Sequence, residues 1–339
     1  MNPYCLLPQR LLPWYELNQR PLPWRQDREP YHVWLSEIML QQTRVEAVKG
    51  YYDRFLRALP TVEALAAADP QQLNKLWEGL GYYSRVRNLQ KAAGQIVALH
   101  GGRFPQEYDQ IRKLAGIGDY TAGAIGSICF GWPTPAVDGN VLRVCTRLTA
   151  DPSPIDRTNT KKALTAALVE VYPQGACGDF TQALMELGAT VCLPNGAPRC
   201  ESCPLADLCA ANRDGTQLQY PVKAKKKPRR QEDMTVFLLR CGDLWAMEQR
   251  PQTGLLAGLW QFPNVPGKLT DAQALEQTEQ WGIRVEEVEK SVERVHIFTH
   301  VEWHMKGYYL QCREPSPQFF WAKPEDMALP TAFRLFLQT

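Results

Sequence analysis

The chain has 339 residues, of which 45% are hydrophobic and 22% are charged, and its formal net charge is +2. This length favours two domains over one compact core, and the composition excludes a wholly disordered chain. No apolar run approaches the roughly 20 residues that a membrane helix needs, and residues 1–8 lack the pattern of a secretion signal, so we expect a cytoplasmic protein.

Charge is distributed unevenly along the chain. Residues 1–230 hold 28 basic and 21 acidic residues, a balance of +7, whereas residues 231–339 hold 10 basic and 15 acidic residues, a balance of −5. The N-terminal part is therefore suited to a polyanion. The basic stretch at 221–230 has no apolar periodicity, which indicates a linker between a domain over 1–220 and a second domain over 231–339.

The predicted elements differ on the two sides of this linker. Apolar residues recur at helical spacing over residues 31–192, with Pro and Gly interruptions, which predicts several helices of medium length. Beyond the linker, β-favouring runs at 234–239, 244–247 and 308–312 surround a predicted helix over 270–281. We therefore expect a mostly α domain followed by an α+β domain with an antiparallel sheet.

On the helical stretch at 31–48, Glu37 has Val33 one turn before it and Leu40 one turn after it. Burial among these apolar residues would raise the pKa of Glu37 and suit it to donate a proton. A partly exposed glutamate without a chemical role is the plainer alternative.

Two glycine-containing turns follow. The segment LAGIGDYTA at 114–122 sets Gly116 and Gly118 between helical stretches. Such a turn can expose helix N–H groups to a phosphate, or it can simply connect two helices. The segment VDGN at 137–140 sets Asp138 before another helical stretch, where it can cap the helix and keep one oxygen free.

Four of the ten cysteines are clustered, with gaps of seven, two and five residues, at Cys192, Cys200, Cys203 and Cys209. Disulfides are not expected in a reducing compartment. Four thiolates in a Pro-rich segment predict a metal centre. A [4Fe-4S] cluster and a structural zinc ion both suit the spacing, which does not decide between them.

Together these motifs resemble the helix-hairpin-helix base-excision DNA glycosylases, and within them the MutY-type adenine glycosylases, over nearly the whole chain. The resemblance also rests on LPWR at 22–25, WLSEIMLQQT at 34–43, GLGYYS at 79–84, QRPQTGLLAGLWQFP at 249–263 and FTH at 298–300. It implies a mostly α N-terminal helix-hairpin-helix glycosylase domain with a [4Fe-4S] cluster loop at 192–209. It also implies a Nudix-like α+β C-terminal domain that recognises 8-oxoguanine.

The activity that the resemblance implies is base excision repair on double-stranded DNA. A monomeric, monofunctional enzyme, associated with the nucleoid in a bacterial cytosol, would remove adenine paired with 8-oxoguanine or guanine and leave an abasic site. Glu37 matches the acid that protonates adenine N7, and Asp138 matches the carboxylate that faces C1′. Tyr120 and Asn140 match supporting catalytic residues. The matches to substrate- and DNA-binding positions are Arg20, Trp24, Arg25, Gln42, Leu80, Tyr82, Gly116, Gly118, Gln182, Phe298, Thr299 and His300.

Several details of the sequence weigh for or against alternative functions. Tyr120 stands where endonuclease III-like relatives carry a strand-cleaving lysine, which indicates a monofunctional enzyme. Nucleotide hydrolysis is disfavoured because residues 254–290 lack the Arg-Glu pair of the metal-binding Nudix box. Another lesion specificity and a catalytically silent DNA-binding iron-sulfur sensor remain open, although the two carboxylates argue against the sensor. Strand alternation would set His296, His300 and His304 on one face, with core or surface roles preferred over metal binding.

Overall fold

The structure is a computed structural model that describes residues 2–224 and 228–338. Residues 225–227, in the middle of the predicted linker, lie outside the described residues. The chain divides into two compact units, Met1–Ala68 with Asn88–Lys225 and Asp69–Arg87 with Lys226–Thr339. Sequence patterns gave no indication that Asp69–Arg87 contacts the C-terminal part of the chain.

The N-terminal part is helical, as predicted. Its helices are α1 Leu7–Asn18, α2 Pro30–Leu40, α3 Val45–Ala58, α4 Val62–Ala67, α5 Pro70–Leu76, α6 Ser84–His100, α7 Tyr108–Arg112, α8 Asp119–Phe130, α9 Gly139–Thr149, α10 Thr158–Val169, α11 Cys177–Thr190 and α12 Ala210–Arg213. No helix in the described part of the chain is both long enough and apolar enough to span a membrane. Helix α5 and the first turn of α6 belong to the second unit.

Apolar side chains at helical spacing build the core of the first unit. Leu11 of α1, Val144 of α9 and Phe180 of α11 are buried in one cluster. A smaller cluster joins Val33 of α2 to Ile128 of α8. These contacts bring α2, α8, α9 and α11 together, and the candidate site lies among them.

The second unit is built on a sheet whose strands are β1 Arg230–Cys241, β2 Leu244–Gln249, β3 Trp260–Gln261, β4 Asn264–Pro266, β5 Val285–Ile297, β6 Val301–Cys312 and β7 Phe320–Ala322. The main strand order is β3-β2-β1-β6-β5, and β4 pairs with β1 while β7 pairs with β2. Helix α13, Asp271–Gln280, confirms the helix predicted over 270–281, and Thr270 caps it. A short helix α14, Thr331–Arg334, follows the last strand.

The sheet is mixed, so the prediction of an antiparallel sheet was wrong. Strands β1 and β6 run parallel from the pair Arg230 and Val301 to the pair Arg240 and Gln311. Both faces of β1 are buried, because Val236 and Leu238 pack into one core cluster and the alternate residues pack into another. A buried central strand suits the continuous apolar run in this segment, which cannot reveal strand direction.

The expectation that strand alternation sets the three histidines on one face was also wrong. His296 lies on β5 opposite Trp303, whereas His304 lies on β6 opposite Val295. His300 lies in the turn between these strands. Since paired residues of adjacent strands share a face, His296 and His304 point to opposite faces of the sheet.

Candidate active site

One open cavity of about 600 Å³ lies in the first unit and gathers side chains from distant parts of the chain. Nine of the residues singled out in the sequence line it, namely Arg20, Trp24, Arg25, Glu37, Gln42, Tyr120, Asp138, Asn140 and Gln182. They come from α2, α8, α9, α11 and the loops before and after α2. Gln42 has a left-handed backbone, with φ of 58°, a conformation that non-glycine residues adopt mainly where the surroundings enforce it.

Glu37 lies on α2 and is only 6% exposed. The Tyr120 hydroxyl donates a hydrogen bond to Glu37 Oε2. Burial raises the pKa of Glu37 to about 7; the Tyr120 hydrogen bond and Arg25 oppose this rise, and the charge of Asp138 adds to it. The carboxyl group can therefore carry a proton near neutral pH.

Asp138 caps the N-terminus of α9. Its Oδ1 accepts a hydrogen bond of 2.8 Å from the Val141 backbone N–H, and its Oδ2 accepts one of 2.7 Å from Asn140 Nδ2. The oxygen that a simple cap would leave free is thus hydrogen-bonded by Asn140. Burial raises the pKa of Asp138, while the Val141 and Asn140 hydrogen bonds oppose that rise. The helix N-terminus also favours a negative charge at this position.

Arg143, which the sequence analysis did not single out, holds Asn140 in place. Its Nη2 donates to Asn140 Oδ1 over 2.8 Å and to the Gly188 carbonyl over 2.7 Å. Its Nε donates to the Cys192 carbonyl over 2.7 Å. A Cβ at Gly188 would lie 2.5 Å from Asn140 Cβ, so glycine permits the close approach of α11 to α9.

Glu186 is a second residue of this cavity that the sequence analysis missed. It is fully buried and accepts hydrogen bonds from Arg20 Nε at 2.6 Å and from Arg25 Nη2 at 2.8 Å. Burial alone would raise the pKa of Glu186, but the hydrogen bonds and charges of the two arginines outweigh it and lower the pKa. Its position four residues after Gln182, on the same face of α11, was the available signal.

The four clustered cysteines line a separate cavity in the first unit. Arg147 Nη1 lies 3.3 Å from Cys192 Sγ, and Gln217 Nε2 lies 3.8 Å from Cys200 Sγ. Among the described residues, no three His, Cys, Asp or Glu side chains converge as the ligands of a single metal ion would. Thiols arranged around a cavity fit a group of several atoms, with N–H donors directed at two of the sulfurs.

The turn between α7 and α8 positions Tyr120, although neither of its glycines lines the cavity. Gly116 has a φ of 74°, and a Cβ added there would lie 2.6 Å from Asn88 Cβ. Gly118 is the N-cap residue of α8, and Tyr120 lies in the first turn of that helix. The turn thus requires glycine at position 116 and directs the tyrosine toward Glu37.

The remaining predicted contact residues belong to the second unit: Leu80, Tyr82, Phe298, Thr299 and His300. Tyr82 and Thr299, which lie 217 positions apart, share a hydrogen bond of 2.9 Å between their hydroxyl groups. Tyr82 is 47% exposed, Leu80 is buried, and the Phe298 ring packs edge-on against Trp303 at 4.8 Å. Tyr82 also has a left-handed backbone, with φ of 47°.

The first cavity thus holds two carboxyl groups, one of which can carry a proton near neutral pH, a pairing suited to cleaving a glycosidic bond. A family model described as "HhH-GPD superfamily base excision DNA repair protein" matches residues 35–174, and a Nudix domain model matches residues 235–339. The fold is similar to a solved thermostable thymine-DNA glycosylase, with a TM-score of 0.56 and 28% identity over 63% of this chain and 97% of that one. These findings define a base-excision repair glycosylase.

Two curated relatives narrow the class further. The adenine DNA glycosylase of Homo sapiens is 36% identical over 91% of this chain and 67% of its own length. That of Buchnera aphidicola subsp. Schizaphis graminum is 31% identical over 88% of this chain and 85% of its own. The chain belongs to the family of MutY-type adenine DNA glycosylases.

Proposed function

We propose that this enzyme hydrolyses the N-glycosidic bond of adenine paired with 8-oxoguanine or guanine in duplex DNA and leaves an abasic site. The observation that carries the proposal is the pair of buried carboxyl groups, Glu37 and Asp138, on one cavity large enough for an everted nucleoside. Arg25, Gln182 and Trp24 line the same cavity and supply donors and an aromatic face for a purine.

In this mechanism Glu37 donates its proton to adenine N7. The bond between C1′ and N9 then breaks, and its electron pair leaves with the base. Asp138 stabilises the positive charge that develops on the sugar, because its carboxylate is held on the cavity by Val141 and Asn140. Water adds its oxygen to C1′, and the carboxylate left on Glu37 takes up the released proton, so the acid is restored.

The side chain that contacts Glu37 supports a monofunctional enzyme. The position next to Glu37 is filled by Tyr120, whose hydroxyl is engaged with that carboxyl group. A phenol cannot form the Schiff base through which a lysine amine cleaves the strand. The product is therefore an intact strand with an abasic site.

The second unit supplies the recognition of the base opposite adenine. Tyr82 and Thr299 present a joined pair of hydroxyl groups, and Phe298 and His300 flank Thr299. Hydroxyl groups can donate to or accept from the edge of a modified guanine.

A [4Fe-4S] cluster bound by Cys192, Cys200, Cys203 and Cys209 fits the cysteine cavity. Ligands of one zinc ion would each approach it to about 2.3 Å, and the described cysteines do not converge in that way. When bound, the cluster would fix the loop at 192–209. Arg147 and Gln217 would direct N–H groups at its sulfur ligands.

The glycosylase proposal is tested by single-turnover release of adenine from duplexes that carry A opposite 8-oxoguanine, guanine or thymine. The parent protein should release adenine from the first two and leave the strand intact until alkali is added. Glu37→Gln should abolish release and still bind the duplex. An exposed control, Glu46→Gln, should keep the parent rate. Release by Glu37→Gln at the parent rate, or efficient nicking without alkali, would contradict the proposal.

The cluster is tested by iron and sulfide analysis together with the visible spectrum of the purified protein. Cys203→Ser should lower iron content and the brown absorbance, whereas Cys241→Ser, outside the set, should leave both unchanged. Zinc in place of iron would support the alternative centre.

A further inference from the structure

Glu78 joins the segment Asp69–Arg87 to the C-terminal end of the chain within the second unit. Its Oε1 accepts hydrogen bonds from Arg334 Nη2 at 2.5 Å and Arg334 Nε at 3.0 Å, and from the Leu329 backbone N–H at 3.2 Å. Its Oε2 lies 3.0 Å from Lys75 Nζ. The Glu78 side chain is only 13% exposed, so these interactions are screened less than those of a surface ion pair.

Residues 77–85 form a compact loop around this contact. Trp77 is fully buried, and its Nε1 donates to the Gly81 carbonyl over 3.0 Å. Arg85 is 8% exposed, and its Nη2 donates to the Leu80 and Gly81 carbonyls over 2.9 and 3.0 Å. Its guanidinium group also lies over the Tyr82 ring. A displacement of Glu78 therefore moves Tyr82 with it, because the internal bonds hold the loop together.

On the C-terminal side of this contact, packed aromatic side chains connect Arg334 to the turn that carries Thr299. Arg334 ends α14, and its neighbour Phe333 is buried with its ring 6.0 Å from that of Trp303. Trp303 in turn packs edge-on against Phe298 at 4.8 Å. The turn that carries Thr299 and the helix that carries Arg334 thus share one packed aromatic cluster.

We propose that Glu78 and Arg334 form a clamp that sets the position of the Tyr82–Thr299 hydroxyl pair, and that both are positioning residues for recognition of the base opposite adenine. This inference rests on the proposed function. All members of the clamp lie in the second unit, whereas Glu37 and Asp138 lie in the first. Loss of the clamp should therefore change the preference between opposite bases and spare the release of adenine itself.

The test compares single-turnover rates on A opposite 8-oxoguanine and on A opposite guanine in the full chain. Arg334→Gln removes the paired donors, and we expect the ratio of the two rates to fall about fivefold while the rate on A opposite guanine stays within about twofold. Arg334→Lys keeps the charge and should restore part of the ratio. Arg240→Gln is the matched control, because Arg240 has similar exposure and donates to Glu289 over 2.6 Å in the same unit.

A second variant shows whether the clamp acts through the hydroxyl pair. Thr299→Val removes the partner of Tyr82, and adding Arg334→Gln to it should lower the ratio little further. Amide hydrogen exchange supplies a readout apart from activity, with faster exchange expected over residues 77–85 in Arg334→Gln and unchanged exchange in Arg240→Gln.

Each outcome decides the inference. An unchanged ratio in Arg334→Gln, an equal fall in Arg240→Gln, or a full further loss in the Thr299→Val background would overturn the clamp. Unchanged exchange over residues 77–85 would overturn it as well. A parent protein without any preference for 8-oxoguanine would overturn the proposed recognition of the opposite base by the second unit together with the clamp, while adenine release from both duplexes would still support the glycosylase. Because that failure shows in the parent and the others show only in variants, the two are distinguishable.

Discussion

Burial of Glu37 should cost the folded protein stability at neutral pH, and Glu37→Gln should recover that stability. The neutral amide can still accept the hydrogen bond from the Tyr120 hydroxyl, so the variant removes the charge with little change in packing. The folded-state pKa of about 7 lies above the ordinary value of 4.5. Folding therefore binds a proton between these two pH values.

The sign and size of the effect on the free energy of unfolding follow from the difference between these two pKa values. Below about pH 4.5 the carboxyl group is protonated in both states, and it makes no pH-dependent contribution. As the pH rises from about 4.5 to about 7, stability falls, and above about 7 the loss is constant at about 3 kcal/mol. Glu37→Gln should be more stable than the parent by about that amount at pH 8 and should differ little at pH 4.5.

Urea denaturation of both proteins at a series of pH values measures the difference directly. The raised pKa of Asp138 adds its own pH dependence in both proteins, and because the charges of Asp138 and Glu37 interact, the measured difference includes that coupling. Glu46→Gln, an exposed glutamate on α3, should run parallel to the parent. Parallel curves for the parent and Glu37→Gln across this pH range would refute the reasoning.

Three further outcomes are expected. Adenine release should fall about tenfold per pH unit above pH 7, as Glu37 loses its proton, and a rate that is flat to pH 9 would count against it as the acid. Gly116→Ala should lower the free energy of unfolding by about 2 kcal/mol, seen as a lower urea midpoint, because of the φ of 74° and the contact with Asn88. Glu186→Ala should cost about 3 kcal/mol in thermal unfolding, since it strips Arg20 and Arg25 of a shared buried partner; an unchanged midpoint would contradict that role.

Much of the fold could be predicted from local patterns. Helical spacing over residues 31–192 and β-favouring runs after the linker reflect which faces are buried, and burial is what periodicity records. Strand direction could not be predicted in this way, because β1 is buried on both faces and its apolar run would be the same beside a parallel or an antiparallel partner. The direction of the strands was therefore assigned wrongly, although the predicted runs at 234–239, 244–247 and 308–312 lie in β1, β2 and β6.

Some residues of the candidate cavity could likewise be predicted from the sequence, and others could not. Motifs carry residues that are chemically unusual for their setting, such as Glu37 among apolar neighbours. Arg143 and Glu186 act by holding other side chains, and each lies on a helix where an isolated charge is ordinary. The left-handed backbones of Gln42 and Tyr82 also escape local rules, because tertiary packing enforces them on residues that do not prefer them.

The contact of Asp69–Arg87 with the C-terminal unit has a consequence for biosynthesis. Glu78 leaves the ribosome early, but its partners Leu329 and Arg334 are made only when translation is nearly complete. The nascent protein must therefore carry this stretch without its final neighbours for more than 240 codons, a period in which chaperones can bind it. A gene divided at the linker would encode an N-terminal fragment in which Asp69–Arg87 lacks its packing partners, and a C-terminal fragment that lacks Asp69–Arg87. The two halves therefore cannot be exchanged between proteins at the boundary that the sequence suggests.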